Sequence, residues 1–170
     1  MRKQFYLDLT ERLKQIILVT DGNVETPLIK HFDLWNKQLQ FLEKERPFRF
    51  PAVFVEFGPL EYRQLGLQAQ EADLTVRLHI ASKTLTGSAD SAVYQHTFLS
   101  HLDLNDDIHY CLSGWNTPYS GPMVRIQSIP NHDHEHIIEE IEVYKMKITD
   151  LSGVKRVLEA RSNTHFSSSF

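Results

Sequence analysis

The run from Ala72 to Ala81 constrains this chain more than any other segment. Leu74, Val76, Leu78 and Ile80 share one parity, while Thr75, Arg77 and His79 share the other. Successive side chains on an extended backbone point to opposite faces, so the run predicts a half-buried antiparallel strand. A second strand is expected over Ala52 to Phe57, where "AVFVEF" is apolar, β-branched and aromatic. The "PFRFP" before it carries Pro47 and Pro51, and the residue ahead of each proline is pushed towards extended backbone. Near the C-terminal end, "MVRIQSI" and the stretch from His132 to Thr149 read as the two arms of a β-hairpin. In the second arm Ile141 and Val143 share one parity, whereas Tyr144, Met146 and Ile148 share the other. A bulge near Val143 and Tyr144, or burial of both faces there, is therefore implied.

Helical spacing appears in three places. Phe5, Leu9, Leu13, Ile16 and Ile17 form an apolar stripe among Asp8, Glu11, Arg12 and Lys14, which predicts an N-terminal helix ended by Asp21-Gly22-Asn23. A short helix is expected near 35–45, around Leu39 and Leu42. Beyond the polar "SKTLTGSAD", Asp90 or Ser91 can cap a helix carrying Val93, Tyr94, Phe98 and Leu102. A continuation through Leu104, Ile108, Cys111 and Leu112, with Asp103 or Asn105 as a second cap, gives two short helices or one bent one. Gly114 stands where a helix end favours positive φ. Residues 58–70 lack periodicity and read as a loop carrying Tyr62, Leu65 and Leu67.

Together these elements predict an α+β fold, with helices on one face of a mixed or antiparallel sheet that ends in a long β-hairpin. At 170 residues, with 41% hydrophobic and 24% charged side chains, one domain over 1–150 is expected. The Ser-rich 151–170 reads as a flexible tail. The net charge of −4, with scattered basic residues, disfavours a nucleic-acid partner. No apolar run reaches membrane-spanning length, so a cytoplasmic protein is expected. Cys111 is the single cysteine and reads as a small, half-buried helical residue.

Candidate chemistry is sparse. His132, His134 and His136 alternate with Asp133 and Glu135, and imidazole and carboxylate are the usual ligands of zinc. Same-face neighbours on a strand stand about 7 Å apart, too far for two short ligands to grip one ion without rotation. These histidines are therefore metal candidates only, and an exposed hairpin loop is the simpler reading. A metal-binding enzyme or sensor built on them is the rival to a non-catalytic role, and metal analysis of His134→Ala separates the two. Asp106-Asp107 and Glu139-Glu140 are adjacent, so each pair diverges and reads as solvated surface. No nucleophile elbow and neither phosphate-binding glycine pattern is present, which predicts no catalytic residues and no cofactor. Trp35 and Trp115 read as core or interface anchors.

The order of an N-terminal helix, "PAVFVEF", "DLTVRLHIAS", helices ending in "CLSGW", then "VRIQSI" and "EEIEVYKMKITD" resembles the tail terminators of long-tailed bacteriophages and prophages. The resemblance covers about residues 1–150 and marks no residue as functional. It implies a non-catalytic structural subunit that forms a homo-oligomeric ring, usually a hexamer, and caps the tail tube or joins tail to head. Its expected partners are tail-tube and head-tail connector proteins, in the host cytoplasm and the assembled virion.

Overall fold

The structure is a computed structural model that describes residues 1–20, 24–40, 48–83, 91–134 and 136–154. Asp21-Gly22-Asn23, Leu42, Asp90 and most of the C-terminal tail lie outside these residues. The described chain is α+β, with helices α1 (Arg2–Leu13) and α2 (Ser91–Leu112) against one face of a mixed sheet. None of its helices is long and apolar enough to cross a membrane.

Strand β6 (Ala69–Lys83) is the spine. It pairs antiparallel with β8 (Ile137–Asp150) along its whole length, and β8 pairs with β7 (Val124–Asn131) to make the expected hairpin. On its other side, β4 (Ala52–Phe57) takes the second half of β6 from Val76 to Ala81. The same edge nearer the start of β6 is taken by β5 (Tyr62–Gly66). Strand β3 (His31–Leu34) extends the sheet in parallel with β4. A separate two-stranded ribbon joins β1 (Ile17–Thr20) to β2 (Val24–Pro27).

The parity of β6 decides what each face does. Leu74, Val76, Leu78 and Ile80 lie under the helices with Phe5, Leu9 and Leu13 of α1 and Leu104, Ile108 and Leu112 of α2. The opposite face carries Thr75, Arg77 and His79, as the alternation requires, and there Leu39, Ala52, Phe54, Ala81 and Ile137 form a smaller cluster. At the Val143 and Tyr144 step, both expected solutions occur together. Both residues are buried, and the register slips opposite them between Arg125 and Gln127, leaving Ile126 as the extra residue of a bulge on β7.

Four expectations are corrected. The first helix ends at Leu13, and Ile17 opens a strand with its side chain exposed. Leu28 N donates to Ile16 O there, so the ribbon's ladder takes over backbone groups that another helical turn would have used. Of the helix expected near 35–45, the described residues 35–40 hold a single 3-10 turn, Gln38–Gln40, after β3 ends at Leu34, and 41–45 lie outside the described residues. That turn is tied by Gln38, whose Nε2 donates to Leu34 O while its Oε1 accepts from Asn36 N. Residues 58–70 are not simply a loop, because β5 pairs with β6 within them. Finally, of the two arrangements expected beyond Ser91, the single helix is the one found, with 22 residues in α2, so Asp103 and Asn105 are interior positions rather than caps.

Gly114 follows α2 with φ of 72°, and a Cβ added there would meet open space. Gly114→Ala is expected to destabilise by about 1 kcal/mol through backbone strain alone. A lower urea midpoint with unchanged slope is the corresponding observation.

Candidate functional site

Two places combine chemistry or shape with a position that packing alone does not demand. The first lies on the sheet face away from the helices. Register puts His79 of β6 between β4 and β8, with Glu56 on one strand and Glu139 on the other. His79 Nδ1 is 2.8 Å from Glu139 Oε1 and its Nε2 is 3.3 Å from Glu56 Oε2. The indole of Trp35 covers the imidazole, with ring centroids 3.8 Å apart and planes 7° apart.

Glu139 is only 2% exposed, which corrects its reading as solvated surface. Its second oxygen, Oε2, accepts from Asn131 Nδ2 at 2.8 Å and from His134 Nε2 at 2.9 Å. Burial pushes the Glu139 carboxyl up, but hydrogen bonds and positive charge from His79 and His134 outweigh it and hold the group below its ordinary value. Chemically the cluster is a clasp: one buried carboxylate ties the β7–β8 turn, the centre of the sheet and, through the imidazole stack, the Trp35 segment.

Of the histidines singled out as metal candidates, His134 is thus turned onto Glu139, while His132 and His136 are exposed. Glu135 lies outside the described residues, and among those described no three His, Cys, Asp or Glu side chains converge as a metal site would need. Sequence reasoning missed His79, Glu56 and Glu139. The signal was a His on the outward parity of the spine, with acidic residues on two other strands. Knowing that those strands flank the spine requires the register.

The second place is the turn between β5 and β6. Leu67 and Gln68 are its two central residues, with φ of 49° and 67°, and Gly66 precedes them at 113°. A two-residue hairpin with positive φ at both centres normally takes Asn-Gly, because other L-residues are strained there. Leu67 nevertheless occupies the tip and is 94% exposed, with Leu65 and Tyr62 also open to solvent on the same ribbon. A strained apolar tip has no folding rationale within its own chain.

Away from both places, Cys111 is buried and donates to Arg12 O, while burial pushes its thiol up. Trp115 packs against Phe5. Asp106 and Asp107 are exposed, as expected. No protein-family model matches this chain, and no curated protein matches it.

Proposed function

We propose that this chain is a non-catalytic structural subunit of a phage or prophage tail, a terminator-like protein. Copies of it would join head to tail into a ring that caps the tail tube or joins it to the head. The observation that carries the reading is Leu67, an apolar side chain held almost wholly in solvent on a strained turn. A ring needs two different surfaces on one chain, a projection and a seat for it, so that each copy gives one and receives one. The tip with Leu65 and Leu67 serves as the projection. A hollow of about 350 Å³ bordered by Ile16, Ile17, Tyr110 and Cys111, with Arg12, Gln15 and Asp107 also lining it, offers a seat that is apolar in part, with Ile17 and Tyr110 exposed at its rim. The clasp around Glu139 then acts structurally, holding the sheet rigid between these surfaces.

Light scattering on the eluting protein tests this. A particle of several times 19.8 kDa, growing with concentration, is expected. A strict monomer at high concentration, and in the presence of a tail tube, overturns the reading.

A further inference from the structure

Among the described residues, the buried side-chain polar atoms without a hydrogen-bond partner are His101 Nε2, Asn105 Oδ1, His109 Nδ1, Glu142 Oε1 and Tyr144 Oη. All five belong to α2 or β8. Their grouping follows from two periodicities. His101, Asn105 and His109 recur every fourth residue, so they form one stripe of α2 with a step of about 6 Å. Glu140, Glu142 and Tyr144 alternate along β8 on the helix side of the sheet, with a step of about 6.6 Å. The steps nearly match, and the rows are pinned side by side at two points. Asn105 Nδ2 donates to Glu140 Oε2 at 2.6 Å, and the His109 and Tyr144 rings lie 6.3 Å apart. Glu142 therefore faces the interval between Asn105 and His109.

Charge makes this seam more than a place for water. Glu142 is 1% exposed, and its Oε2 accepts from Arg125 at a long 3.3 Å. Glu140 adds a second carboxylate, bonded by Asn105 and by Ser128 Oγ at 2.5 Å. Besides Arg125, the groups of this seam able to carry positive charge are the imidazoles His101, beside Glu140, and His109, and none of them donates to Glu142 Oε1, so this buried carboxylate oxygen lacks a partner, which is costly. Water completes hydrogen bonds but supplies no charge. The orientation of Asn105 is fixed by its donation to Glu140, which leaves its carbonyl oxygen as the free atom.

We propose that the seam between α2 and β8 binds a monovalent cation of the potassium or ammonium class, with Glu142 Oε1, Asn105 Oδ1 and Tyr144 Oη as its oxygen ligands. One carboxylate with an amide and a hydroxyl suits a weakly hydrated monovalent ion. A transition metal would want several charged or imidazole ligands converging on one point, and among the described residues no such group of three occurs. Burial, and after it the negative charge of Glu142, pushes the Tyr144 phenol up.

The test compares thermal unfolding in potassium, ammonium and tetramethylammonium chloride at equal ionic strength. The last ion is too large and cannot donate hydrogen bonds. A midpoint higher by about 3 °C in potassium or ammonium is expected once the ion is well above its dissociation constant. Glu142→Gln should erase that difference. Equal midpoints in all three salts, or a difference that survives in Glu142→Gln, overturn the proposal. Crystals of the unaltered protein grown with thallium give a readout that does not depend on the variant folding. An anomalous peak against Glu142 and Asn105 supports the site, and density for water alone overturns it.

Discussion

Glu139→Ala is expected to lower stability by about 3 kcal/mol at neutral pH, a large loss for a domain of this size. The methyl group leaves His79, His134 and Asn131 without the acceptor they share, and two of these groups sit in or against the sheet. Glu139→Gln, which keeps an acceptor and the volume, should lose less. The same residue sets a pH dependence whose sign follows from its lowered pKa. A carboxyl that ionises more easily when folded contributes fully above its unfolded value, near 4.5, and the contribution disappears as pH falls through the folded value. Urea midpoints of the unaltered protein should therefore drop on acidification below about pH 4.5, and those of Glu139→Gln should drop less. Parallel curves for the two proteins would show that the clasp carries no such linkage.

Leu67→Asp is expected to reduce an assembled particle to monomers while leaving the thermal midpoint within about a degree, since an exposed tip makes little difference to a fold. A charge at the centre of an apolar contact must be desolvated without a partner, which is enough to dissociate most interfaces of modest size. Ile17→Asp at the rim of the hollow should give the same dissociation if that hollow is the seat. An unchanged particle mass in both variants would remove the carrying observation for the assembly role.

The strands and helices that the sequence reveals are those with long uninterrupted periodicity. Ala52 to Phe57 emerges with its limits unchanged, and the β6 alternation correctly separates a helix-covered face from the face bearing His79. The conflict of parity at Val143 and Tyr144 is physically real and is resolved by a bulge on the other strand. Errors arise where tertiary pairing overrides local pattern. Ile16 and Ile17 continue the helical stripe of α1, yet the β1–β2 ladder claims them. In the same way Tyr62 to Gly66 has no period of its own and becomes a strand because the edge of β6 beyond β4 is unfilled. The Glu139 clasp was invisible for a related reason. Its members come from four strands and a turn, and only the register makes Glu56 and Glu139 the diagonal neighbours of His79.

The bulge on β7 also determines where the chain can change length. Arg125 pairs with Tyr144 and Gln127 with Val143, so Ile126 is surplus to the ladder. A deletion of Ile126 would close the two flanking pairs into a regular ladder and keep the Arg125 side chain on the side of the sheet where it meets Glu142. A deletion within the paired residues of β8 has no such slack, because that strand is bonded on both edges and every later side chain would exchange faces. Length variation among relatives of this protein should therefore concentrate at a single position of an otherwise rigid hairpin.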